Sequence, residues 1–257
     1  MKKKKVKDAA DQLKPFFYDN GYFRKGNAFY KIEKCFMFMM TIYPMTGLAP
    51  CFQVIPLYYP YDTGSIPFGS ELRYYKMQSL DFSDYCELDE SDIPYLNQDF
   101  KSMYFKPMDF NEWIRTTERF YKIHIFPLLS RVSSLHQMKS FLGKGHRHVH
   151  EEWSSCTSVS YYKLRAYTHF VLGEYNEMQE AIERGFDAID NFGVFDYIAA
   201  NWKAELEILN VKKTLSEQEK REWLNGIVSN TLQIWLGKNW ESIIKNKLVL
   251  PLDFSNC

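Results

Sequence analysis

Apolar residues at Val6, Ala9, Ala10, Leu13 and Phe17 recur at the spacing of one helical face, so a short amphipathic helix is expected from about residue 6 to 19. Pro15 falls inside it and weakens the expectation for its second half, because proline removes a backbone donor and crowds the preceding turn. Asn20-Gly21 marks a turn, after which aromatic and aliphatic residues dominate 23–33, 35–43 and 50–59. Pro44-Met45-Thr46-Gly47 separates the last two, and the three read as consecutive antiparallel strands of a meander. The run Phe36-Met37-Phe38-Met39-Met40 is apolar at every position, as suits a central strand covered on both faces. A further short strand is expected near 72–77.

The pattern turns helical from Asp109, an N-cap residue followed by Glu112, with Phe110, Trp113, Ile114, Thr117, Phe120, Tyr121 and Ile125 on the periodic positions. Pro127 should kink or end this helix, and a second pattern over 128–142 closes at Gly143. Residues 143–152 are polar and lack periodicity, which places a domain boundary there. Everything beyond reads as helix: 157–171, 175–189 after Leu172-Gly173-Glu174, 195–210, and a last one through Trp235 opened by a Ser216 and Glu219 capping box. The tail 251–257 is expected to be loosely held. The resulting expectation is an α+β fold: an antiparallel sheet packed with helices over 1–143, a polar linker over 144–153, and an all-α helical domain over 154–257.

Composition narrows the function classes. With 46% hydrophobic and 17% aromatic residues the chain can bury a core, which excludes a disordered protein. Its 32 basic and 32 acidic residues cancel, which argues against a dedicated nucleic-acid binder. Five scattered cysteines without a C-x-x-C pair fit neither a disulfide scaffold nor a zinc ribbon, and point to a reducing cytoplasm. Charged residues, not an apolar stretch, follow Lys2 to Lys5, so no export signal is expected and the run reads as a frayed, solvated end. The longest apolar run, 35–45, is far shorter than the roughly 20 residues of a membrane span.

Between Leu80 and Phe100 the chain carries seven acidic residues and no Lys or Arg, with aromatic residues interleaved. Clustered carboxylates steer basic partners, and Tyr anchors favour interfaces. Asp84, Tyr85, Glu87, Asp89, Glu90, Asp92 and Tyr95 are therefore the candidate partner-binding surface, and another protein, such as a basic toxin domain, is the expected partner. A second cluster holds metal-ligand types: in an extended segment His146, His148 and His150 would share one face, beside Glu151. A solvated linker is the plainer reading of that stretch. No G-x-S-x-G, Walker or dinucleotide spacing occurs, and Cys156 near His150 and His169 is a proximity in sequence alone. No catalytic residue is assigned and no cofactor is expected.

The stretch Phe23-Arg24-Lys25-Gly26-Asn27-Ala28-Phe29-Tyr30, after a short helix and before the meander, resembles a bacterial domain-of-unknown-function family with a similar F-x-K-x-G-N-x-F-Y signature. The likeness would cover about residues 8–142 and implies a small sheet backed by helices and a toxin-neutralising role; no catalytic residue comes with it. Read by itself, Gly26-Asn27 is a turn or bulge between two aromatic-rich segments. Tyr162, Ala166, Phe170, Gly173, Tyr175, Ile182 and Phe186 are similar to one tetratricopeptide hairpin. Arg165, Met178 and Asp190 depart from that repeat, and no further copy appears, so a helical hairpin in a small bundle is expected instead of a repeat array.

The leading expectation is a non-enzymatic cytoplasmic binding protein, an immunity-type inhibitor of a bacterial toxin. The alternatives are a metal-dependent hydrolase or nuclease using the histidine cluster, and a helical peptide-binding adaptor with a groove near Tyr162 and Phe186.

Overall fold

The computed structural model describes residues 2–44, 48–61, 109–130, 133–140, 142, 155–191 and 196–257. The expected strand at 72–77, the acidic segment and the linker lie outside them. The fold is α+β: a four-stranded antiparallel sheet in sequential order near the start, then helices. The chain forms two compact units that are not consecutive stretches. Of the described residues, one unit holds 2–33, 37–44, 48–54 and 109–130; the other holds 34–36, 55–61, 133–142 and everything from 155 onward.

In the first unit, α1 (Lys2–Asp19) is followed by β1 (Phe23–Lys25), β2 (Ala28–Glu33), β3 (Phe36–Pro44) and β4 (Leu48–Pro56). The segment read as one strand over 23–33 is a hairpin: Phe23 faces Tyr30 and Lys25 faces Ala28, across the two-residue loop Gly26-Asn27. Gly26 has φ +62° while Asn27 stays at negative φ, the type II′ pattern in which glycine takes the first loop position. β3 lies between β2 and β4, and Phe36 to Met40 are all buried, as their unbroken apolar run requires.

The helix α1 starts at Lys2, so the lysine run lies in its first turn, and it continues through Pro15. Pro15 is exposed, which leaves the carbonyl it deprives open to water, and Phe17 beyond it is fully buried. Phe17 is the centre of this unit's core, stacked on Phe29 at 4.6 Å and edge-on to Tyr22 at 5.3 Å and to Tyr121 at 5.2 Å. Arg24 ties β1 to α1 through the Asp11 carboxylate at 2.5 Å.

Asp109 caps α2 (Phe110–Phe120), accepting from the Asn111 and Glu112 amides. Pro127 does not end the helix. A π-turn over Tyr121–Ile125, in which the Phe126 amide reaches back to the Tyr121 carbonyl, precedes it, and the chain continues as α3 (Phe126–Ser130). Such an insertion shifts the ladder by one residue and absorbs the proline's missing donor.

The second unit is a helical bundle. It contains α4 (residues 135–140 and 142), α5 (Ser155–Leu172), α6 (Tyr175–Asp190), α7 (Asp196–Lys212), α8 (Glu217–Leu236) and α9 (Trp240–Ile244), then a 3₁₀ turn at Phe254–Asn256. α5 and α6 meet in a Schellman turn: Gly173, at φ +73°, donates to the Phe170 carbonyl and Glu174 donates to that of His169. Gly185 lets α7 approach α6, since a Cβ there would stand 2.7 Å from Leu206 Cδ1. The capping box is present, with Ser216 and Glu219 each bonded to the other's backbone amide. Residues 34–36 and 55–61 join this unit through the Leu57 amide on the Cys35 carbonyl (2.8 Å) and Tyr58 on Thr168 (3.0 Å). Among the described residues no helix is long and apolar enough to cross a membrane.

Candidate functional site

The partner-binding candidates Asp84, Tyr85, Glu87, Asp89, Glu90, Asp92 and Tyr95, and the metal candidates His146, His148, His150 and Glu151, all lie outside the described residues. Among the described residues no group of three or more His, Cys, Asp or Glu is placed to hold a metal ion. Tyr162, read as part of a groove, is instead core, only 1% exposed, because helical spacing on an apolar face directs it inward. Phe186 is half-buried beneath Lys203, whose ammonium stands 5.8 Å from its ring centre.

The described helical unit carries a cleft of about 390 Å³, between α4, the α5–α6 turn, the first turns of α8 and residues 253–257. Leu135, Phe170 and Leu224 supply its apolar lining, with Lys220, Arg221 and His136 as polar and basic groups. Lys220 is oriented by its neighbours: it donates to the Tyr175 hydroxyl at 2.7 Å and to Glu217 at 2.8 Å. The Glu217 bond first, and then the Tyr175 bond, raise its pKa and keep it cationic. Arg221 faces Asp253 at 3.9 Å with both side chains half-exposed, a weak pair that leaves the guanidinium accessible.

One wall of the cleft is the segment expected to be loose. The structure holds it instead. The Asn225 amide brackets the Leu252 backbone, Leu252 is buried, and Asp253 caps the 3₁₀ turn by accepting from the Ser255 amide, the Ser255 hydroxyl and the Asn256 amide group. The Ser255 hydrogen bonds hold the Asp253 carboxyl below its ordinary range. At the end of the segment the Cys257 carbonyl accepts from the Leu135 amide at 3.0 Å. Asp253 with Ser255 two residues later was the local signal for this order; the Asn225 contact had none.

A second polar cluster lies at the α5–α6 turn. Glu174 receives Lys139 at 2.5 Å on one oxygen and His169 at 2.7 Å on the other. Both oxygens are occupied and His169 is buried, so this cluster positions the turn and α4 and offers no free ligand. No family model, curated protein or solved structure matches the chain.

Proposed function

We propose that the chain is a non-enzymatic binding protein whose helical unit receives a short segment of a partner protein in the cleft beside residues 253–257. The observation that supports this most is the pairing of an apolar lining at Leu135, Phe170 and Leu224 with the accessible cation of Arg221. Such a lining suits one aliphatic or aromatic anchor, and the guanidinium suits a neighbouring carboxylate. The wall is already held by Asn225, which lowers the ordering cost on binding. Panning a displayed random-peptide library against the chain should enrich peptides with an apolar residue beside Asp or Glu. Arg221→Glu should weaken those peptides about tenfold, roughly 1.4 kcal/mol, and Glu217→Lys should tighten them. No enrichment, or equal binding by all three proteins, rejects the cleft.

The sequence favours a second contact surface for the same class of function. The run of carboxylates around Asp84, Tyr85, Glu87, Asp89, Glu90, Asp92 and Tyr95 fits a basic toxin domain, which would make the chain an immunity-type inhibitor acting in a bacterial cytoplasm. The free thiols of Cys35 and Cys257 suit such a reducing compartment. Reversing Asp84, Glu87, Asp89 and Glu90 to Lys should weaken capture of a basic partner and flatten its salt dependence. Unaltered affinity removes that surface. The hydrolase reading at His146, His148, His150 and Glu151 requires stoichiometric metal in the tag-free chain, which elemental analysis reads directly.

A further inference from the structure

The helix α7 is apolar on two sides. Its inner side carries Leu206 and Leu209, both fully buried, with Leu206 seated against Gly185 of α6. Its outer side repeats Tyr197, Ala200, Ala204, Ile208 and Val211 at helical spacing, all exposed, in one stripe along a helix about 25 Å long. Tyr197 is 67%, Val211 64% and Ile208 38% exposed, and no other helix among the described residues opens three large apolar side chains in this way. The neighbouring helices differ: every exposed residue of α6 is polar, and so is every exposed residue of α8 apart from Gly226. A bundle helix ordinarily turns its polar side to water, so a second apolar stripe marks a contact surface.

Two ion pairs fix how α7 presents the stripe. Lys203 donates to Asp190 of α6 at 2.6 Å on one flank, and Glu205 receives Lys163 of α5 on the other. The α6 flank carries further charge. Glu207, one turn from Lys203, stands on that side, and Glu183 shares the face of α6 that holds Phe186 and Asp190. The two helices run antiparallel, with Asp190 at Lys203 and Gly185 at Leu206, which brings Glu183 level with Ile208. Neither Glu183 nor Glu207 makes an ion pair among the described residues. Arg184 is the one exposed cation of α6, against Glu177, Glu180, Glu183, Asp187 and Asp190, so this flank is acidic.

We propose that the outer stripe of α7 docks an amphipathic helix of another protein, one whose apolar seam is bordered by Lys or Arg. Ala200 and Ala204 in the middle of the stripe let the incoming backbone come close, and Tyr197, Ile208 and Val211 pack against it on either side of them. The cations of such a helix face Glu183 and Glu207. A second copy of the chain fits less well: an antiparallel two-fold pairing through Ala204 gathers Glu183 and Glu207 of both copies along one side of the seam. No residue of α7 lines the cleft described above, so this surface stands whether or not the cleft binds.

The test titrates the full chain with a synthetic helix of about 18 residues, a Leu seam bordered by Lys, and reads calorimetry and backbone amide shifts. Two controls accompany it: the same seam bordered by Glu, and a Lys peptide of equal composition with its Leu residues scattered around the helix. The first peptide alone should bind saturably, with shifts clustered at Tyr197, Ala204, Ile208 and Val211 and affinity falling as salt rises. Ala204→Lys, at an exposed site where both residues suit a helix, should abolish binding. Glu183→Lys with Glu207→Lys should weaken the Lys-bordered peptide about tenfold and admit the Glu-bordered one. Equal binding by the three peptides, no binding, or shifts elsewhere overturns the proposal. So does a dimer of the peptide-free chain in sedimentation that Ala204→Lys dissociates, because the stripe then belongs to a second copy.

Discussion

Asn225 pairs with the backbone of Leu252 as a neighbouring strand would: the Leu252 amide donates to Asn225 Oδ1 at 2.6 Å, and Asn225 Nδ2 donates to the Leu252 carbonyl at 3.2 Å. A single side chain on α8 thus satisfies both polar groups of a buried residue in an otherwise irregular segment. Asn225→Leu leaves both without partners, at about 1–3 kcal/mol. Urea unfolding should show this loss, and the Leu252 amide should lose its protection from hydrogen exchange. Unchanged exchange would mean that the segment is held by its other contacts.

The two helical glycines at 185 and 226 should respond in opposite directions. A methyl group at Gly185 meets Leu206 Cδ1 at 2.7 Å, and Leu206 is fully buried with little room to move. Overpacking of about 1–3 kcal/mol exceeds the helix-propensity gain of about 1 kcal/mol, so Gly185→Ala should lower the unfolding midpoint. Gly226 has nothing within 4 Å of such a methyl, and Gly226→Ala should raise stability by up to about 1 kcal/mol. Thermal or urea denaturation of the pair reads both signs.

Tyr58 and Thr168 make a buried hydrogen bond at 3.0 Å, and the Thr168 hydroxyl also donates to the Leu164 carbonyl at 2.8 Å. Since Thr168 spends its one proton on Leu164, Tyr58 is the donor. Burial holds the Tyr58 phenol well above its ordinary pKa. Tyr58→Phe keeps the ring and leaves Thr168 bonded to Leu164, so its cost should be modest, about 0.5–1.5 kcal/mol in urea unfolding. Thr168→Val, which strands the Tyr58 hydroxyl, should cost more.

Acid stability should depend on Glu174. Burial works against its ionisation, but the hydrogen bonds from Lys139 and His169 outweigh it and hold the carboxyl below its usual range. A carboxyl with a depressed folded pKa binds fewer protons when folded than when unfolded. Its stabilisation is therefore full above the unfolded value of about 4.3 and fades as pH falls through the folded one. Glu174→Gln should be less stable than the parent at neutral pH and should lose less on acidification. Parallel stability curves for the two proteins below pH 5 would show that the network contributes nothing in acid.

How legible all this was depended on how local each signal is. Gly173, and Ser216 with Glu219, fixed their helix boundaries because caps are made by residues a few positions apart. Pro15 misled because the rule for proline in helices is also local, whereas Phe17 beyond it is held by ring contacts to Phe29 and Tyr121; at Pro127 the expected disturbance takes the form of a π-turn just before it. The cleft was invisible in the sequence, since Leu135, Phe170, Leu224 and residues 253–257 come together only through packing. The acidic and histidine-rich runs stood out by composition, which says what a segment carries but not where it is placed.

Titrating a library-selected peptide into the isotope-labelled chain and following backbone amide shifts decides whether the helical cleft is a binding surface. A binding surface in the cleft requires saturable changes clustered at Leu135, Phe170, Leu224 and Leu252, abolished by Arg221→Glu. Saturable binding with its changes elsewhere, or no response from any selected peptide, would contradict it.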